Sequence, residues 1–229
     1  MDKRITFDRP DGATCPAYYV QPNARDGAPG VVVLQEWWGV DQHMMDIAAR
    51  LAASGYRTLV PDLYRGKVTQ DEAEAEHHMS ALDFRDVASQ DIRGAINYLK
   101  RSSEHVAAIG FCMGGALSIV VAIHVDGLDA ACCWYGIPPP EAGDPRTIRI
   151  PVQGHFALND RYFPPSVVDA FEAKLKEANV RCEFYRYPAS HGFGRESAPY
   201  YDPAAAVLAW QRSLDFLARS CGLSSDGPG

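Results

Sequence analysis

No stretch of the 229 residues approaches the roughly 18 consecutive apolar positions of a membrane-spanning helix, so insertion in a bilayer is not expected. The start, Met1-Asp2-Lys3-Arg4-Ile5-Thr6, lacks the apolar centre of a secretory signal, and a cytoplasmic location is expected. Basic clusters and aromatic–basic stripes are also missing. With a net charge of −7, this argues against nucleic acid or an anionic membrane as partner. The six cysteines at 15, 112, 132, 133, 182 and 221 show no metal-type pairing. Two of them are adjacent, so neither a structural metal nor a disulfide framework is expected and reduced thiols are the default. Internal repeats are absent, which excludes a solenoid.

What is present is an alternation of short apolar runs with amphipathic ones. Residues 3–7 and 14–20 read as a hairpin around Asp8-Arg9-Pro10-Asp11-Gly12. Val31-Val32-Val33-Leu34 has the continuous β-branched character of a central parallel strand. Asp41 caps a helix reaching Ser54, and Thr58-Leu59-Val60 is the next strand. A short acidic helical stretch covers 71–78 and a longer helix runs over 87–100. Further strands are expected at 105–109, 130–135, 150–155 and 182–187, with helices at 116–123, 166–178 and 204–218. The expected fold is a single α/β domain over 1–221, a mostly parallel doubly wound sheet with an N-terminal hairpin, followed by a disordered tail at 222–229.

Between the strand at 105–109 and the helix after it lies Gly110-Phe111-Cys112-Met113-Gly114-Gly115. Glycines two residues on either side of Cys112 permit the sharp turn of a nucleophile elbow, with a thiol where such elbows carry serine. The Met113 amide would open the helix, offering a hydrogen-bond donor to a developing oxyanion. Catalytic groups of open α/β sheets gather beyond the carboxyl ends of strands. Asp160 follows the 150–155 strand and His191 follows the 182–187 strand, so nucleophile, acid and base fall in the order Cys112, Asp160, His191. His191 would take the thiol proton and Asp160 would fix the imidazole. His155, at a strand end, is the competing histidine, and Asp144, Asp169 and Asp202 are competing acids. His77 and His78 sit beside Glu74 and Glu76, but neighbours on a helix point to different faces, so no metal site is expected there.

With these residues assembled, the chain resembles the dienelactone hydrolase family of α/β-hydrolases from about residue 15 to 217. The resemblance is carried by Gln35-Glu36-x-x-Gly39-Val40, Pro61-Asp62-Leu63-Tyr64, Gly110-x-Cys112-x-Gly114-Gly115-Ala116, Tyr135-Gly136 and His191-x-Phe193-x-Arg195. It implies the α/β-hydrolase fold and a Cys112-Asp160-His191 triad that hydrolyses an enol-lactone or related ester through a thioacyl intermediate, without metal or organic cofactor. It further implies that Glu36 contacts the resting thiol and helps deliver the thiolate, that the Trp37 and Met113 amides form the oxyanion hole, and that Arg195 binds a substrate carboxylate. Family members acting on dienelactone carry a second arginine, whereas the matching segment here, 71–76, is acidic. Trp38, Tyr64 and Phe193 are candidates to line the pocket.

Two alternatives stay open: a broader carboxylesterase of neutral esters with a thiol nucleophile, and a non-catalytic binder or redox sensor built on Cys112. The expected partner is a small ester or lactone, and a monomer is expected rather than an oligomer.

Overall fold

The computed structural model describes residues 2–23 and 27–223. Most of the expected 222–229 tail therefore lies outside the described residues. The hairpin of β1 (Asp2–Asp8) and β2 (Thr14–Val20) leads into β3 (Gly30–Leu34), α1 (Gln42–Ala53) and β4 (Arg57–Pro61). Then come α2 (Glu72–Ser80), α3 (Phe84–Asp86), α4 (Arg93–Lys100), β5 (Val106–Phe111), α5 (Met113–His124) and β6 (Ala130–Trp134). The chain continues through β7 (Val152–Asn159), α6 (Pro165–Glu177) and β8 (Cys182–Ser190) to α7 (Pro203–Cys221).

The described strands form one eight-stranded sheet in the order β1-β2-β4-β3-β5-β6-β7-β8. Only the β1/β2 and β2/β4 pairs are antiparallel. From β3 the chain first moves outward to β4, then crosses to β5 on the other side, so the strand order reverses between β3 and β5. Their carboxyl ends diverge there and open the crevice in which sheets of this type bind ligands.

Residue alternation on the central strands builds both layers. Val31 and Val33 of β3, with Ala107 and Ile109 of β5, face α1 and α7 through Met44, Leu51, Ala209 and Leu217. Val32, Leu34, Val106 and Ala108 face the opposite layer, where Ile96, Leu99, Leu117 and Val121 pack. Both faces are covered, which is why these strands read as unbroken apolar runs. Asp41 caps α1 as expected, its Oδ1 accepting the Met44 N–H at 3.1 Å.

Among the boundaries that differ from the expectation, three have a local reason. The single helix expected over 87–100 is α4 preceded by a wider π-helical stretch, Val87–Ile92, in which the buried Asp91 meets Arg65 at 2.7 Å and Arg9 at 3.3 Å. β7 continues four residues past His155. β8 runs through Pro188 to Ser190, because it is the edge of the sheet and proline's missing N–H faces no neighbour there. The two extensions place Asp160 and His191 immediately after their strands instead of in long loops. Among the described residues no helix is long and apolar enough to cross a membrane.

Candidate active site

The β5–α5 turn forces Cys112 to φ 53° and ψ −113°, a left-handed conformation that a non-glycine residue rarely adopts. The neighbouring glycines make the turn possible by steric necessity. A Cβ on Gly110 would lie 1.9 Å from the Gly114 carbonyl oxygen, and one on Gly114 would lie 2.1 Å from that of Leu34. The second contact also shows how closely the start of α5 packs against the end of β3, which brings Glu36 and Trp37 to the elbow.

Around this thiol the strand ends converge. His191 Nε2 lies 3.3 Å from Cys112 Sγ, and His191 Nδ1 lies 2.7 Å from Asp160 Oδ2. The other carboxylate oxygen, Asp160 Oδ1, accepts the amides of Tyr162 at 2.8 Å and Phe163 at 3.1 Å. Burial alone would raise the Asp160 carboxyl, but the His191 hydrogen bond and charge, with the two amides, outweigh it and hold the group below its ordinary value. The imidazole is walled by the rings of Tyr162, Tyr135 and Phe163, with centroids at 4.9, 5.3 and 6.0 Å. Cys112 itself is pushed up to about 12, first by burial and then by the Glu36 carboxylate, against the opposing Met113 N–H. Burial and the Glu36 charge thus both favour the thiol over the thiolate.

The competing residues are committed elsewhere. His155 is fully buried in mid-strand, bonded to Tyr187 Oη and Gln153 Oε1 at 2.8 Å and to Ser213 Oγ at 3.0 Å, and burial lowers it to about 3. Asp144 caps a turn and pairs with Arg146, Asp169 pairs with Arg186, and Asp202 caps α7.

Glu36, at the end of β3, is 3 % exposed and makes its hydrogen bonds to Arg195 Nη1 at 2.8 Å and Tyr135 Oη at 3.4 Å. It reaches the thiol through its charge. Arg195 also pairs with Asp41 and lies over the Trp38 ring, 5.7 Å from its centroid.

A cavity of about 490 Å³ opens above Cys112, with His191, Glu36, Trp37 and Trp38 in its wall. Of the four residues expected to bind substrate, Trp38 lines it. Arg195 stands behind Glu36. Phe193 is fully buried, stacked 5.6 Å from Trp134, and Tyr64 is buried with its hydroxyl donating to Met113 Sδ at 3.4 Å. Sequence reasoning missed Arg161, Tyr162 and Phe163, although they directly follow Asp160 in the same loop. It also missed Met79, Phe84, Ile137 and Tyr200, which arrive from remote segments with no local signal.

The model of the dienelactone hydrolase family matches residues 15–221. The chain belongs to that family. The family's fold is shared with a crystal structure of a provisionally named dienelactone hydrolase from Klebsiella pneumoniae, at 28% identity and TM-score 0.85 over 96% of this chain and 99% of that one. A carboxymethylenebutenolidase from a Pseudomonas species is 31% identical, covering 96% of both chains. A provisionally named carboxymethylenebutenolidase of Salmonella typhi is 33% identical over 95% of this chain and 87% of its own length. As a dienelactone hydrolase family member, this chain is an ester-bond hydrolase of the carboxymethylenebutenolidase type.

Proposed function

We propose that the hydrolysis runs on a Cys112-His191-Asp160 triad through a thioacyl intermediate, with a lactone or carboxylic ester as substrate. The observation that carries this reading is the unbroken line from sulfur to imidazole to carboxylate, at 3.3 and 2.7 Å, with the sulfur and the imidazole in the cavity wall.

Because Cys112 rests as a thiol, attack and ionisation are coupled: the sulfur bonds to the substrate carbonyl carbon while its proton passes to His191 Nε2. The Asp160 carboxylate stabilises the imidazolium so formed and keeps the ring's Nδ1–H directed toward itself. Charge appearing on the carbonyl oxygen meets the Met113 N–H at the start of α5 and, from the adjoining end of β3, that of Trp37. Collapse of the tetrahedral species breaks the ester C–O bond, and the leaving oxygen takes the proton from His191. Water then gives a proton to the same nitrogen as it attacks the thioester, releasing the acid and restoring the thiol. Protein groups and water supply every step. The Glu36 carboxylate, which disfavours a second negative charge beside it, keeps Cys112 protonated until substrate arrives.

A redox sensor would need an ionised, low-pKa thiol, and the environment of Cys112 pushes the other way. Turnover of aryl esters and enol-lactones by the Cys112→Ala and His191→Ala variants tests the proposal. Both are expected to lose activity, and full turnover by either would end it.

A further inference from the structure

Arg195 is the cation that the sequence offers to a substrate carboxylate, yet the structure commits it twice over. Glu36 Oε2 holds one side of the guanidinium at 2.8 Å and Asp41 Oδ2 holds the other, leaving the side chain 13% exposed and out of the cavity wall. Burial would lower its pKa, but the two carboxylates more than offset that. Asp41 serves two neighbours at once, since its Oδ1 caps α1 through the Met44 N–H. The Glu36–Arg195–Asp41 group thus carries a net charge of one minus immediately behind the cavity.

The acidic segment places only Glu72 in the wall. Asp71 caps α2, while Glu74 accepts the Thr69 hydroxyl at 2.6 Å and lies 3.5 Å from His78. Glu72 is balanced by Arg161, which is drawn onto Tyr162, donating to its hydroxyl at 2.6 Å. Glu72 and Arg161 thus offset one another in charge, and most of the remaining wall is aromatic or aliphatic, including Trp37, Trp38, Met79, Phe84, Phe163 and Ile137.

We propose that Asp41 determines substrate class: with Glu36 it withholds Arg195, so the pocket takes uncharged, apolar esters and disfavours esters bearing a second carboxylate. An acidic substrate meets a net negative wall. To reach Arg195 it must displace Glu36 while Asp41 keeps its hold on the guanidinium, bringing a third carboxylate to one cation. The inference rests on the hydrolytic reading above and goes beyond it by naming what enters the site.

The test compares methyl 4-acetoxybenzoate with 4-acetoxybenzoate, which share the scissile acetyl ester and differ in one remote charge, by following phenol release. The native protein is expected to favour the methyl ester by about tenfold or more in kcat/KM, the effect of one uncompensated charge contact. In Asp41→Asn the side chain still caps α1 but loses its charge, and the ratio is expected to shift toward the acid by about fivefold or more. A native preference for the acid, or an unchanged ratio in a variant that melts normally, overturns the inference alone. Turnover of neither ester by the native protein overturns the hydrolytic reading and the inference with it.

Discussion

Replacing Asp160 by asparagine changes one atom in the proposed triad, and the surrounding contacts say what should follow. Oδ1 would go on accepting the Tyr162 and Phe163 amides, so the loop should keep its shape. The other position, now an NH2 group, would face His191 Nδ1 at the 2.7 Å spacing where the carboxylate accepts a proton. Two donors cannot share that contact, so the ring would turn to the tautomer with its proton on Nε2, which then cannot accept the Cys112 proton. The charge that stabilises the imidazolium is lost as well. For charge centres about 4 Å apart at an effective dielectric near 20, that attraction is about 4 kcal/mol. At about 1.4 kcal/mol per tenfold, kcat should fall by about a thousandfold, with KM little changed because Asp160 does not line the cavity. Steady-state hydrolysis of an aryl acetate reads the loss, and a circular dichroism melt checks that the variant is folded. A folded variant with kcat within about threefold of the native value would refute the assignment of Asp160 as the group that orients and charges His191.

Two further outcomes follow from the titration behaviour. With Cys112 pushed up to about 12, its alkylation by iodoacetamide should keep accelerating to about pH 10 without a plateau, and Glu36→Gln should move the profile to lower pH by removing a neighbouring negative charge; a plateau near neutrality would contradict this. His155 is depressed from 6.5 to about 3 by burial and by the Arg212 charge, so the unfolded chain takes up its proton first as the pH falls. Its contribution to stability is complete above pH 6.5 and is lost progressively down to about 3; urea denaturation across that range should show a smaller acid-induced loss in His155→Gln than in the native protein.

The parts of the site legible in the sequence are those set by short-range geometry. Gly110 and Gly114 announce the elbow because no side chain fits where they pack. Cys112, Asp160 and His191 are readable because parallel strands deliver their carboxyl ends to one edge of the sheet. Pro188 misleads, since whether it ends a strand depends on whether that strand is an edge, which only the assembled order reveals. Phe193 looked like a pocket aromatic for a related reason: the course of the loop after β8 turns it inward against Trp134. Asp41 was legible as a cap but not as a partner of Arg195, because the pairing joins residues 154 positions apart. The cavity wall was the least readable element, being gathered from α2, α3 and loops that no local pattern connects.

The central claim, that Cys112 carries the acyl group, is tested most directly by mass spectrometry of protein quenched during turnover of an activated acetate ester. The account predicts an acetyl group on the peptide containing Cys112 that disappears once substrate is exhausted. Turnover continuing with that peptide unmodified, or with the acetyl group on another residue that Cys112→Ala leaves in place, would contradict it.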